Sequence, residues 1–166
     1  MRGAAPRFAH MPPRVYGCPM ITIRPSTPAD DARVLDIWRD AVDATHDFLT
    51  PADRAAIEGE VKDFLPFAPL WLAVDARNRP VGFMLLDEAS MEALFIDPAY
   101  RGKGVGRALV AHALGLHPVI TTDVNEQNAQ AVGFYQRLGF VATGRSERDG
   151  QGRPYPLIHL RFDPHP

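Results

Sequence analysis

Hydrophobic residues along the chain follow two alternating spacings, and each spacing predicts one type of element. Short apolar runs bounded by Pro, Gly, Asn or Asp are typical of strands. Such runs occupy residues 21–24, 70–74, 81–86, 91–96, 119–124, 140–145 and 157–162. Stretches in which apolar residues recur three and four positions apart separate several of these runs, and this spacing predicts helices.

The first two predicted helices begin with the same tetrapeptide, Thr-Pro-Ala-Asp, at Thr27 and at Thr50. Thr is a good N-cap residue, Pro is favoured at the first helical position, and an acid three residues after the cap completes the signal. The apolar face of the first helix is Val34, Leu35, Trp38, Ala41 and Val42. Pro66 is expected to end the second helix, whose apolar face is Ile57, Val61, Phe64 and Leu65.

Two further helices lie in the second half of the chain. One follows a glycine-rich segment and is expected to end at Gly115 and Pro118, and the other spans 128–138 with Gly139 at its end. The predicted order is therefore β-α-α-β-β-β-α-β-α-β-β. This order favours an α/β architecture, in which helices cover the faces of a mixed sheet.

The amino-acid composition sets the first 19 residues apart from the rest of the chain. Residues 1–19 hold three Arg, four Pro and no Asp or Glu, which predicts a disordered extension before a single domain at 20–166. The chain of 166 residues is 46% hydrophobic with a net charge of −2, so it is typical of a globular protein and has no charge excess for nucleic acid. The single cysteine, Cys18, excludes a multi-cysteine metal site and fits a reducing, cytoplasmic setting.

The segment between the fourth strand and the third helix carries the clearest chemistry. Glycines let backbone amides approach a ligand closely, and a helix start adds free N–H donors and a positive dipole end. The segment therefore predicts a pyrophosphate cradle formed by Arg101, Gly102, Lys103, Gly104, Val105, Gly106 and Arg107. Its spacing fits neither a Walker A loop nor the dinucleotide-binding glycine pattern. Taken alone, the segment fits an ordinary surface loop equally well.

A second segment, 128–140, strengthens the ligand interpretation. Asn128 is a good N-cap, and Tyr135 follows it by nearly two helical turns, so both side chains can face the same side. Taken alone, Tyr135 would be interpreted as a core aromatic residue beside Phe134.

The two segments together resemble the GNAT superfamily of acyl-CoA-dependent N-acyltransferases. The loop matches the family's Arg-x-x-Gly-x-Gly signature over 101–106, and the helix matches Asn-x-x-Ala…Tyr-x-x-x-Gly-Phe at Asn128, Ala131, Tyr135, Gly139 and Phe140. The stretches 43–49, 124–128 and 143–147 look like the bacterial YjaB-type branch of this family. The fold implied by the resemblance is a mixed, mostly antiparallel sheet flanked by helices, covering about residues 20–163.

The resemblance also implies roles for individual residues. Acetyl-CoA is the expected co-substrate, with no metal, and the amides from Gly102 to Arg107 are expected to hold its pyrophosphate. Asn128 is expected near the pantetheine arm, and Tyr135 is expected to act as the general acid beside the thioester sulfur. Backbone groups of three residues of the fourth strand are expected to pair with the pantetheine: Leu94, Phe95 and Ile96.

Three residues are candidates for the general base of such a reaction. Glu92 ranks first because it lies on the strand before the loop, where many members of the family place a carboxylate. His46 ranks second and is also a candidate substrate contact, since it follows the first helix, and Asp123 ranks third. Each has an ordinary structural explanation as well, and a water chain can replace a single base.

The expected function is acetyl transfer from acetyl-CoA to a primary amine, either a small molecule or a protein lysine. A non-catalytic acyl-CoA-binding module on the same fold is the alternative, and Tyr135 favours the enzyme. A dinucleotide-binding oxidoreductase is disfavoured by the failed glycine spacing. The sequence predicts a monomer or homodimer that binds neither nucleic acid nor membrane.

Overall fold

A computed structural model describes residues 20–164, so the predicted extension at 1–19 lies outside the described residues. Within this range none of the helices is long and apolar enough to cross a membrane. The predicted order of elements is confirmed. The elements are β1 (Thr22–Pro25), α1 (Asp31–Thr45), α2 (Pro51–Phe64), β2 (Leu70–Val74), β3 (Pro80–Asp87), β4 (Ser90–Ile96), α3 (Val105–Leu116), β5 (Ile120–Asn125), α4 (Ala129–Leu138), β6 (Val141–Ser146) and β7 (Leu157–Phe162).

Several predicted element ends are wrong by one to three residues. Thr27 is the N-cap as predicted, and the Asp30 carboxylate accepts a hydrogen bond from the Thr27 backbone, but the first turn, Pro28–Asp30, is 3₁₀ and α1 begins only at Asp31. Gly115 does not end α3, which continues to Leu116 and is capped at His117. β5 begins at Ile120 and β6 at Val141, one residue later than expected in each case.

The predicted apolar face of α2 is only partly correct. No residue of α2 is buried, and Phe64 is 54% exposed. Leu65 is buried, but it belongs to a separate 3₁₀ turn, Leu65–Phe67, that changes the chain direction at Pro66. α2 is therefore a surface helix whose Ile57 and Val61 pack on the α1 cluster, and whose Glu58 pairs with Arg39 on α1.

The seven strands form one sheet in the order β1-β2-β3-β4-β5-β7-β6. All neighbours are antiparallel except β4 and β5, so the sheet is mixed and mostly antiparallel, as expected. The parallel pairing joins only Ser90 to Thr121 and Met91 to Thr122. Beyond these pairs β4 continues to Ile96 and β5 continues to Asn125, but the two strands no longer pair with each other. We call the gap between them the fork.

The two faces of the sheet are covered to different extents. One core cluster packs α3 and α4 against the sheet, and it includes Leu109, Val124, Tyr135 and Leu160. The cluster on the opposite face is formed by α1 with β2, β3 and β4. On that opposite face, the side chains of β5 and β7 are exposed or half-buried. We call this surface the open face, and it carries Thr121, Asp123, His159 and Arg161.

The loop between β6 and β7 reaches back to the first half of the chain. The buried Tyr155 donates a hydrogen bond from its hydroxyl to Asp53 Oδ2 at 2.5 Å and accepts one from the Thr50 amide at 3.2 Å. Arg153 donates to Glu60 Oε1 at 2.7 Å. The loop is thereby tied to α2 beside the open face.

Candidate functional site

A cavity of about 440 Å³ opens at the fork. Its walls come from the end of α1, the unpaired part of β4, the start of α3 and one side of α4. Most of the predicted site residues line it together, namely His46, Leu94, Phe95, Ile96, Arg101, Gly102, Gly104, Val105, Gly106, Arg107, Asn128 and Tyr135. Elements far apart in sequence therefore converge on one concave site, as ligand pockets do.

The glycine-rich loop takes the shape that a phosphate cradle requires. Gly102 and Gly104 have φ values of +71° and +82°, which favour glycine, and Gly104 is the N-cap of α3. The first-turn amides of α3 therefore begin at the cavity, where the helix dipole is positive. Gly106 allows close packing of α4, because a Cβ there would lie 3.0 Å from Phe134 Cζ.

The cationic residues of the loop are not equivalent. Arg101 and Arg107 line the cavity, and Arg101 donates a hydrogen bond to Gln130 Oε1 at 3.2 Å. Lys103 is exposed and does not line the cavity, and its Nζ lies 5.2 Å from the ring centre of Tyr100. Arg101 and Arg107 can therefore place positive charge in the cavity, whereas Lys103 lies outside it.

α4 holds the next two predicted residues. The Asn128 side chain accepts a hydrogen bond from the Ala131 amide at 3.2 Å, so it is the predicted N-cap. Tyr135 is only 6% exposed, and its ring packs edge-on against Phe134 and Phe140. Burial raises the pKa of the Tyr135 phenol, and the Thr122 side chain offsets part of this rise. The hydroxyl is therefore protonated at neutral pH and can act as a hydrogen-bond donor.

The unpaired edge of β4 forms one side of the fork. Residues 93–96 pair with β3 on their other edge, in the register Ala93–Leu85 to Ile96–Gly82. The backbone N–H and C=O groups of these residues that do not bond to β3 face the fork, where β5 no longer pairs with β4. An extended ligand can add to such an edge through main-chain hydrogen bonds.

His46 is the base candidate that lines the cavity. Burial lowers its pKa to about 4, so the ring is neutral at neutral pH. The Thr45 hydroxyl donates to the Ala41 carbonyl at 2.7 Å and lies 2.7 Å from His46 Nδ1. Because that hydroxyl proton is already used, Nδ1 must donate to Thr45, and Nε2 is left as an acceptor.

The other two base candidates are not brought into the cavity wall. Glu92 is exposed and accepts a hydrogen bond from Ser90 Oγ at 2.6 Å. It occupies a bulge, since β3 pairs with Met91 and Ala93 at consecutive residues and skips Glu92. Asp123 lies on the open face, 2.5 Å from His159 Nδ1. Glu92 and Asp123 as bases stay predictions.

Seven further residues line the cavity that the sequence analysis did not assign to the site: Ala41, Thr45, Ala131, Tyr100, Gln130, Phe134 and Arg137. The last three are spaced by four and three residues, so they form one stripe along α4. That spacing is visible in the sequence. It has no meaning, however, until the fold shows that this side of α4 faces the glycine-rich loop.

Comparisons with known proteins agree with this geometry. The profile of the acetyltransferase (GNAT) domain matches residues 66–142. The peptidyl-lysine N-acetyltransferase YjaB of Salmonella typhimurium is 59% identical over 143 residues, which are 86% of this chain and 99% of that protein.

Two solved structures extend the comparison. The solution structure of apo-form YjaB from Escherichia coli matches with a TM-score of 0.83 and 56% identity, covering 86% of this chain and 97% of that one. The structure of yncA from Salmonella typhimurium with its cofactor acetyl-CoA has the same fold, with a TM-score of 0.60, 21% identity and coverage of 87% and 94%.

Proposed function

Because the chain belongs to the GNAT family of acetyl-CoA-dependent N-acetyltransferases, we propose that its acceptor is the lysine side chain of a protein or peptide. The acceptor class is supported by the name of the YjaB relative, whose full length this chain covers almost completely. The observation that carries the acetyl-transfer part of the proposal is that one cavity joins the start of α3, the free edge of β4 and the Tyr135 side chain.

The residues of the cavity fit acetyl-CoA in chemical type. The amides from Gly102 to Gly106 at the start of α3 would hold the pyrophosphate, with Arg101 and Arg107 supplying positive charge. The free edge of β4 would pair with the amide groups of the pantetheine, and Asn128 lines the same wall. When bound there, acetyl-CoA supplies an activated thioester carbonyl.

Tyr135 would stabilise the sulfur that leaves when the acceptor amine forms its C–N bond. Burial raises the pKa of this phenol further above that of an ordinary thiol, which is about 8.5. Full proton transfer to a thiolate is therefore uphill, so the hydroxyl acts as a hydrogen-bond donor aimed at developing negative charge. This role needs a neutral phenol, and burial maintains it.

His46 would accept a hydrogen bond from the attacking amine through Nε2. Its neutral ring and fixed tautomer suit this role. Because desolvation makes the ring a weak base, the proton that the amine loses on forming the C–N bond would pass on through water to the departing sulfur, which leaves as the CoA thiol. Holding an amine beside the thioester converts a bimolecular step into an effectively unimolecular one, which lowers the barrier by several kcal/mol.

The test is a two-readout assay of the full chain with acetyl-CoA and a lysine-containing peptide. We expect release of free CoA thiol, together with one acetyl group on the lysine by mass spectrometry. The same peptide with Arg in place of Lys is the matched control and should give neither signal. Binding of acetyl-CoA without thiol release across a panel of peptides and small amines would favour the non-catalytic alternative instead.

A further inference from the structure

We infer that Asp123, His159 and Ser146 form a recognition site for the acceptor, in which Asp123 binds the lysine ammonium and His159 positions Asp123. The inference rests on the proposed function, because it names where the acceptor of that reaction is held. None of the three residues lines the cavity. The site is therefore separate from the residues proposed to hold acetyl-CoA.

The three side chains form a continuous hydrogen-bonded chain across three neighbouring strands. Asp123 on β5 and His159 on β7 are direct cross-strand partners, and Asp123 Oδ1 lies 2.5 Å from His159 Nδ1. His159 Nε2 lies 2.7 Å from Ser146 Oγ on β6. A carboxylate only accepts, so Nδ1 carries a proton, and in the neutral ring the Ser146 hydroxyl donates to Nε2. Both ring nitrogens are thereby engaged, and the ring orientation is fixed.

This arrangement leaves one carboxylate oxygen of Asp123 available. Within the described part of the chain, Asp123 Oδ2 has no hydrogen-bond or ion-pair partner, and the Asp123 side chain is 55% exposed. An ionised carboxylate with one oxygen fixed and the other open to solvent is a suitable acceptor for an ammonium group. A primary ammonium on a long, flexible stem, as in lysine, can reach such a site from outside the protein.

Asp123 also lies at the right place on the sheet. The preceding residue, Thr122, marks the last paired position of β5 with β4 and donates to the Met91 carbonyl at 2.8 Å. Thr122 is buried on the face of Tyr135, and adjacent residues of a strand point to opposite faces. Asp123 therefore lies at the mouth of the fork, on the face opposite Tyr135.

His46 lies on this same face. Its ring centre is 6.5 Å from that of Phe95, which packs with the α1 cluster. The ammonium recognised at Asp123 must lose one proton, to the carboxylate or to solvent, before the neutral amine moves into the fork from the side of His46. Tyr135 acts from the other side. The arrangement separates recognition of the charged acceptor from stabilisation of the leaving sulfur.

The experiment measures acceptor kinetics for Asp123→Asn, His159→Gln and Ser146→Ala in the full chain. With a lysine peptide, we expect the KM of Asp123→Asn to rise roughly tenfold, as loss of a charge-assisted hydrogen bond predicts, and those of the other two variants to rise less. With hydroxylamine, which is uncharged at neutral pH and offers no ammonium to bind, the KM should stay at the wild-type value. Arg161→Gln changes the same face of β7 and should leave both acceptors unaffected.

The outcomes separate this inference from the proposed function. Wild-type KM for the lysine peptide in both Asp123→Asn and His159→Gln would overturn the inference and leave the proposed function intact. An equal loss with hydroxylamine, or a shift in acetyl-CoA affinity, would also overturn it, since that pattern reports a purely structural pair. Absence of lysine turnover in the wild-type protein would overturn both.

Discussion

The two halves of the sheet, β1–β4 and β5–β7, differ in how many of their faces are covered. Every residue of β2 except Trp71 is buried, whereas no residue of β6 is. The sequences reflect this, since β2 reads LWLAV without interruption and β5 alternates as ITTDVN. A strand covered on both faces is continuously apolar, and a strand covered on one face alternates.

The difference indicates a division of labour. The half β1–β4 contributes to the core clusters on both faces of the sheet, and it supplies the β4 edge that would hold the pantetheine arm. The half with the open face presents polar side chains to solvent, where a macromolecular acceptor can reach them. Each prediction below tests whether a residue behaves as its half of the molecule requires.

The largest expected effect is on stability in the covered half. Phe83 on β3 is 1% exposed, so Phe83→Ala should lower the free energy of unfolding by about 3–5 kcal/mol. Val141 on the edge strand β6 is 66% exposed, and Val141→Ala should change it by less than about 0.5 kcal/mol. Urea denaturation measures both, and equal losses would show that β6 is covered in solution.

The next effect concerns two tyrosines with the same exposure of 6%, Tyr135 and Tyr155. Tyr135→Phe should lower kcat by about tenfold to a thousandfold, because it removes a donor to the leaving sulfur. Its affinity for acetyl-CoA should change little, as expected for an interaction made mainly in the transition state.

Tyr155→Phe is the matched control. Its hydroxyl bonds to Asp53 and the Thr50 amide, so its loss should cost about 1 kcal/mol of stability and leave kcat unchanged. Stopped assays for kcat and thermal melting separate the two variants. If Tyr135→Phe lost only stability, Tyr135 would be a core residue without a chemical role.

A pH effect is expected from His46. Its pKa is about 4 in the folded protein against 6.5 unfolded, so below pH 6.5 the unfolded chain binds a proton that the folded chain does not. Stability is therefore full above pH 6.5 and falls as pH drops towards 4, by about 2 kcal/mol between pH 7 and pH 5.

The variant His46→Gln should flatten this loss in denaturation curves taken across the same pH range. His117→Gln, at the end of α3, controls for the removal of a histidine elsewhere. An unchanged slope in His46→Gln would mean that the ring is not desolvated in solution.

The smallest predicted effect compares two glycines that have the same positive φ, so that a substitution at either position meets a similar backbone penalty. Gly104 in the cradle and Gly152 in the loop of the open half both have φ of +82°, and a Cβ at either position meets nothing within 4 Å. Gly104→Glu adds negative charge beside the expected phosphates, so the Kd for acetyl-CoA should rise about tenfold. Gly152→Glu should leave that Kd unchanged in the same calorimetric titration.

The sequence predicted the order of elements because each was specified by local signals. The spacing of apolar residues separated strands from helices, and Thr50, Asn128 and Gly139 are caps in the structure as predicted. The errors lie where tertiary contacts override local preference. Ile57 and Val61 of the predicted apolar face of α2 pack on the core, but Phe64 is 54% exposed and Leu65 is buried in a separate 3₁₀ turn, Leu65–Phe67.

The site was predictable only as far as its motifs extend. The glycine-rich loop and α4 are continuous segments, so most residues that share the cavity could be named in advance. The Gln130, Phe134 and Arg137 stripe and the α1 residues Ala41 and Thr45 are among those that could not. The chain of Asp123, His159 and Ser146 could not be found in this way. Its members come from three strands whose spatial order differs from their order in the sequence.

Because the ladder between β4 and β5 is so short, the halves β1–β4 and β5–β7 are joined as a sheet at only one corner. Only two residue pairs form the ladder between β4 and β5, and the connection between these parallel strands is α3, which follows the glycine-rich loop. A ligand that lies in the fork would fill the gap between β4 and β5 like an added strand and would contact both halves of the sheet. The two halves of the sheet should therefore fluctuate more relative to each other in the free protein than in the acetyl-CoA-bound protein, so binding should reduce the conformational entropy of the whole sheet.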